Sequence, residues 1–179
     1  MNKFKALPLS GAFQINLPNF SDDRGSFVKI FTEPDFLDKH IDFEVRESYY
    51  SFSKKNVIRG MHFQMPPNEH SKIVCCPQGA ILDVLLDLRK SSATFGHWYS
   101  AVLSADNHQA LFIPEGFAHG FKSLSDNAMT LYLVSSAYEP SADTGILYNS
   151  FGLDWELEHP IVSQRDLSFP SLSLWESPF

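Results

Sequence analysis

Two histidines set beside glycines mark where this chain could do chemistry. The first lies in Arg59-Gly60-Met61-His62-Phe63-Gln64, with Lys72 following; the second lies in Pro114-Glu115-Gly116-Phe117-Ala118-His119-Gly120-Phe121. An imidazole titrates near neutrality, so such groups offer proton transfer or, with suitable partners, metal ligation. Side chains alternate faces along a strand, so Arg59, Met61 and Phe63 should share one face while Gly60, His62 and Gln64 share the other. A histidine beside a glycine on an inward face leaves room for a ligand to approach. A core histidine satisfied by a backbone carbonyl fits the same motif, which by itself leaves both readings open.

The elements that must position these groups are strands. Few windows repeat every 3.6 residues over a helical length, and short β-rich runs alternate with turn signals, as in a sandwich or barrel. Strands are expected over 27–31, 44–52, 58–64, 71–76, 80–87, 97–103, 110–113, 118–123 and 129–136. Turn chemistry separates them at Asp22-Asp23-Arg24-Gly25, Pro66-Pro67-Asn68, Pro77-Gln78-Gly79 and Pro114-Glu115-Gly116. One short helix is expected over 33–39 with Thr32 as its N-cap. The tail from Ser163, which carries Pro170 and Pro178, reads as irregular with room for a helical turn. No repeat, linker or low-complexity run interrupts the 179 residues, so the expected organisation is one all-β domain over 1–179.

Composition narrows the partners. With 44% apolar, 14% aromatic and 20% charged residues the chain is globular rather than disordered. Fourteen basic against twenty-one acidic residues leave a net charge of −7. Such a chain lacks the positive field that nucleic acid or an anionic membrane requires, so any anionic ligand must be held by a few local Lys or Arg side chains. The most apolar run, 80–88, is broken by Asp83 and Asp87 and falls short of the roughly 20 residues that span a bilayer. Residues 1–20 carry no apolar core of signal-peptide length, so a cytoplasmic location is expected. Cys75 and Cys76 are adjacent and should point to opposite faces of a strand, as two reduced structural thiols.

The segment from Pro114 to His119 resembles the second signature of the cupin superfamily, small double-stranded β-helix (jelly-roll) barrels whose interior holds a ligand or metal. A metal-binding cupin presents His-x-His, then Glu before a turn glycine, then a later His. Here the first pair reads His62-x-Gln64, and Lys72, seven residues before Gly79, stands where the Glu would be. Glutamine is a poor ligand and a lysine cation would repel a metal, so none is expected.

Further motifs run in order along the chain. They are Asp22-Asp23-Arg24-Gly25-Ser26-Phe27, the His62 strand, Lys72-Ile73-Val74, Asp87-Leu88-Arg89-Lys90-Ser91, the His119 segment, Leu131-Tyr132, Gly145-Ile146-Leu147-Tyr148-Asn149 and Ser163-Gln164-Arg165-Asp166. Together they resemble the dTDP-4-dehydrorhamnose 3,5-epimerase family. The resemblance implies cofactor-independent epimerisation of a nucleotide-diphosphate-linked 4-keto-6-deoxyhexose. A ketone at carbon 4 acidifies the hydrogens on carbons 3 and 5, because the carbanion delocalises into an enolate. The site then needs a base, an acid opposite it, and donors at the ketone oxygen. By the resemblance His62 is the base, Asp166 its orienting carboxylate and Tyr132 the general acid, while Lys72 and His119 surround the ketone. Arg59 places the diphosphate, and Glu47, Tyr49, Gln64 and Tyr138 stand at substrate-binding positions. Arg24 and Phe27 are expected to reach the nucleotide of a neighbouring subunit through strands exchanged in a homodimer.

The chain also departs from the family. Where the pattern is Gln-x-Asn followed by His-Ser, it has Glu47-Ser48-Tyr49-Tyr50-Ser51, and Lys29 replaces the usual Glu of the Arg-Gly-x-Phe strand. An amide that both donates and accepts has become a carboxylate that only accepts and would repel a nearby phosphate. The proton chemistry is kept while recognition changes, which admits a CDP-linked sugar or epimerisation at one carbon only. A non-catalytic sugar-nucleotide-binding cupin is the alternative outside enzymes.

Overall fold

In the computed structural model, which describes residues 3–179, thirteen strands and two short helices follow one another along the chain. In order these are β1 (Lys3–Ala6), β2 (Phe13–Asn16), β3 (Asn19–Asp22), β4 (Gly25–Val28), α1 (Glu33–Leu37), β5 (Glu47–Ser53), β6 (Ile58–Gln64) and β7 (Lys72–Gln78). Then come β8 (Ala80–Asp87), β9 (Trp98–Ser104), β10 (Gln109–Ile113), β11 (Phe117–Ser123), β12 (Ala128–Val134), β13 (Asp143–Gly145) and α2 (Gln164–Leu167).

The strands form a six-stranded sheet, β1-β2-β10-β7-β12-β5, a five-stranded sheet, β13-β6-β11-β8-β9, and the separate β3-β4 hairpin. Every pairing between these strands is antiparallel. One core lies between the sheets, where Val74, Cys76, Leu111 and Val134 meet Ile81, Leu85, Leu103 and Phe121. The outer faces are covered as well. Phe36 of α1 and Phe43 pack on Ile15, Ile73, Cys75 and Phe112, while Ile146, Phe151 and Trp155 pack on Ile58, Met61, Val84 and Leu86. Two covered faces explain why β7, β8 and β11 read as nearly continuous apolar runs. They also place Cys75 and Cys76 in different clusters as two free buried thiols, which burial pushes up to about 12 and about 11.

The expected strands are found with ends displaced by up to three residues, and β1, β2, β3 and β13 are additional. The helix ends at Leu37 rather than at 39, and the Thr32 side chain makes no capping bond. Pro34 has no N–H, and the Asp35 N–H is taken by the Thr32 backbone carbonyl at 3.0 Å, so the usual capping donors are gone.

The face assignment within β6 needs correction. On β6 the step from His62 to Arg59 covers three residues, while on β11 the matching step from His119 to Phe121 covers two. This bulge breaks the alternation, so Arg59 joins His62 and Gln64 on the cavity side while Ile58, Met61 and Phe63 enter the outer cluster. Gly60 sits at φ +129°, and a Cβ there would fall 2.5 Å from the Gly120 Cα. The glycine thus admits the backbone of β11 rather than a ligand.

Candidate active site

A cavity of about 350 Å³ opens between the two sheets. Arg59, His62 and Gln64 on β6 and His119 on β11 form one side; Glu47 and Tyr49 on β5, Lys72 on β7 and Tyr132 on β12 form the other. Tyr138, from the loop after β12, closes the wall.

His62 sits mid-cavity with its side chain 30% exposed, and its Nε2 lies 2.9 Å from Asp166 Oδ1. The aspartate is remote in sequence and is delivered by α2, which Ser163 caps by accepting the Asp166 N–H at 3.1 Å. The other Asp166 oxygen accepts the Gly60 N–H at 3.0 Å. Burial works against its charge, but these donors hold the carboxyl below the usual carboxylate range. Asp166 does not itself line the cavity; it stands behind the imidazole, whose ring also meets the edge of Phe169 at 5.8 Å.

Tyr132 faces the same space from the opposite sheet. It is 7% exposed, stacks on Tyr49 at 4.7 Å and meets His119 edge-on at 5.9 Å. Burial, foremost, pushes its phenol well above 10, so it stays protonated. Tyr49 is pushed up to about 12 by burial and by the carboxylates of Glu47 and Asp143. Lys72 is buried, donates to the His62 carbonyl at 3.4 Å, and is lowered by desolvation to about 8.

The remaining expected residues divide by what they touch. Arg59 sits at the rim, with Nε on Ser53 Oγ at 3.0 Å and one terminal nitrogen on the Phe52 carbonyl at 3.2 Å. Glu47 accepts the Tyr138 N–H at 2.7 Å, so its charge is partly answered within the protein. Gln64 is engaged by its own wall: its amide donates to the Asn68 carbonyl at 2.7 Å and accepts the Glu139 N–H at 2.7 Å. Arg24 and Phe27 lie on the exposed β3-β4 hairpin and do not line this cavity; the Arg24 guanidinium pairs with Asp22.

Several cavity residues escaped the sequence reading. Asp143 pairs with Arg165 at 2.6 Å, and both line the cavity. His70 also lines it, and burial foremost, with the Lys72 charge, drives it down to about 3. Asp83 is fully buried beneath the cavity, with Oδ2 at 2.8 Å from His119 Nε2. Its signal was present as the aspartate that interrupts an apolar strand, although it served there only against a membrane span.

Such an arrangement can abstract a proton with one imidazole, return one from a phenol on the far wall, and stabilise an oxyanion between. A family model described as dTDP-4-dehydrorhamnose 3,5-epimerase matches residues 6–173. The enzyme of that name from Salmonella typhimurium is 41% identical over 159 residues, which cover 86% of each chain. The chain is also similar to the Bacillus anthracis dTDP-4-dehydrorhamnose 3,5-epimerase solved with TDP and pyrophosphate bound. That match has 35% identity and a TM-score of 0.93 and covers 96% of this chain and 100% of the other. A Legionella pneumophila dTDP-6-deoxy-D-glucose-3,5-epimerase solved with dTDP-4-keto-L-rhamnose matches at TM-score 0.93 and 29% identity, covering 98% and 95%.

Proposed function

The chain belongs to the dTDP-4-dehydrorhamnose 3,5-epimerase family, and we propose that it inverts the carbons flanking the ketone of a dTDP-linked 4-keto-6-deoxyhexose. The observation that supports this most is that His62, backed by Asp166, and Tyr132 line one cavity from opposite sheets. Asp166, as a carboxylate, only accepts, so His62 carries its proton on Nε2 and presents Nδ1 as the base. That nitrogen takes the proton from the carbon beside the ketone. Lys72 and His119 meet the growing charge on the ketone oxygen, and the Tyr132 phenol returns a proton to the other face. Arg59, at the rim, answers the diphosphate.

The exposed hairpin carries two further assignments. Phe20 and Phe27 are each 60% exposed, and Arg24 lies beside them. The sheet edge at β5 likewise carries the exposed rings of Tyr50 and Phe52. Exposed aromatics on both a hairpin and a sheet edge favour a homodimer in which the hairpin reaches across to the partner's nucleotide. The acidic net charge and two free buried thiols favour a cytoplasmic setting; among the described residues no helix is long and apolar enough to cross a membrane.

The test is incubation with dTDP- and CDP-linked 4-keto-6-deoxyglucose in deuterated water. Deuterium at carbons 3 and 5 of the dTDP sugar is the expected result. Label at a single carbon, or only on the CDP sugar, assigns the narrower specificities that Glu47 and Lys29 raise. No label on either sugar would leave a binding protein.

A further inference from the structure

Two histidine–aspartate pairs border one cavity in opposite surroundings. In the first, both Asp166 oxygens have partners, one on His62 Nε2 and one on the Gly60 N–H. In the second, Asp83 and His119 are only 0% and 3% exposed, and Oδ2 has the His119 ring at 2.8 Å. The other Asp83 oxygen is buried with no partner among the described residues. Its neighbours in the same inward row of β8 are Ile81 and Leu85, and Phe121 lies directly across on β11.

From this geometry we infer that Asp83 is a protonated positioning residue. Its O–H donates to His119 Nε2, so the neutral imidazole carries its own proton on Nδ1 and offers an N–H to the substrate oxygen. The inference rests on the epimerase reading for what that N–H meets, but not for the proton arrangement itself. His62 and His119 then form a complementary couple, one presenting a lone pair and the other a donor.

The alternatives fail on charge. A carboxylate on Asp83 would leave a full charge buried on a bare oxygen, which proteins avoid by neutralising the group. The titratable groups around the pair are Lys72, Cys75 and Cys76 from β7, His62 from β6, Tyr132 from β12 and His70 from the loop before β7. Lys72 forms no ion pair with Asp83 and donates to the His62 carbonyl instead. An imidazolium at His119 would add a second buried cation near Lys72. Burial also pushes the Asp83 carboxyl up and the His119 imidazole down, each toward its neutral form. Sites that run acid and base chemistry together commonly separate two similar groups by environment in this way. No proton is consumed: the hydrogen bond from His119 Nδ1–H to the ketone oxygen strengthens as the enolate forms and relaxes afterwards.

The proton arrangement can be read without substrate. Long-range 1H–15N correlation on labelled protein between pH 6 and 8, roughly the range where imidazoles titrate, should show His119 with its proton on Nδ1 throughout. The His119 signals are assigned by their loss in His119→Gln. A His119 protonated on Nε2 with a bare Nδ1 overturns the inference. Asp83→Asn, whose amide N–H can replace the acid O–H, should keep the His119 pattern and lower kcat less than about tenfold. Asp83→Ala should lower it about 10²-fold, and Asp166→Asn, which upsets the His62 tautomer, about 10³–10⁴-fold. A loss in Asp83→Asn as deep as in Asp166→Asn, at unchanged Tm, also overturns it. Should Asp83→Asn not fold, the wild-type spectrum decides. The expected pattern with no turnover of any nucleotide sugar would defeat the epimerase reading and leave this one standing.

Discussion

His62 and Lys72 carry the sharpest expectations at the residue scale. Removing the imidazole in His62→Ala should slow deuterium exchange into substrate by about 10²–10⁴-fold, the usual contribution of a positioned base. Exchange measured by NMR checks this directly, and wild-type exchange in the variant would refute the assignment. In the proposed mechanism Lys72 meets the enolate as an ammonium, and burial has lowered it to about 8. Turnover should therefore fall as pH rises through about 8, since deprotonation removes the cation. In Lys72→Arg, where the guanidinium never deprotonates in this range, the descending limb should disappear from the kcat/KM profile.

Elements act by delivering these residues. The helix α2 is four residues long; the Ser163 hydroxyl caps it by accepting the Asp166 backbone N–H, while the Asp166 carboxylate is held by the Gly60 N–H and His62. Ser163→Ala should destabilise the protein by about 1 kcal/mol, and it should also lower kcat, because an uncapped α2 frays and carries the Asp166 carboxylate away from the imidazole. A thermal melt and a rate, taken together, separate the two effects. The bulge in β6 is the other positioning device. A Cβ added to Gly120 would fall 2.7 Å from both the Arg59 carbonyl and the Met61 sulfur, and backbone cannot swing aside as a side chain can. Gly120→Ala should cost about 1–3 kcal/mol and move Arg59 and His62 together, which would raise KM and lower kcat in the same variant.

The whole molecule sets the environment that no single element supplies. His70, half-buried beside the cavity, is lowered to about 3, so the unfolded chain binds a proton more readily than the folded one. Stability from this group is complete above the unfolded value of about 6.5 and is lost as pH falls toward about 3. Denaturant midpoints in His70→Gln should show a shallower decline over that range. Assembly is testable at the same scale. If the hairpin completes the partner's site, Arg24→Ala and His62→Ala protomers, each inactive alone, should regain about a quarter of wild-type activity after random mixing, since half the dimers are mixed and each then holds one intact site. No recovery would mean that each chain completes its own site.

Local patterning made much of this legible. Apolar runs at β7, β8 and β11, turns at Pro77-Gln78-Gly79 and Pro114-Glu115-Gly116, and histidines beside glycines sufficed for an all-β barrel with His62 and His119 near its interior. These features are local, and the pleat of a strand and the demands of a turn act over a few residues. What remained hidden depends on residues far apart in the chain. The bulge that turns Arg59 into the cavity goes with a close approach of Gly60 to Gly120 that a side chain at either position would block. Asp166 meets His62 across 104 positions, and Asp83 meets His119 across 36. By itself the sequence determined nine of the thirteen strands and the residues that could carry the chemistry. The tertiary structure alone decided which aspartate is surrounded by donors and which is left bare, because a buried carboxyl takes its charge from its neighbours in space.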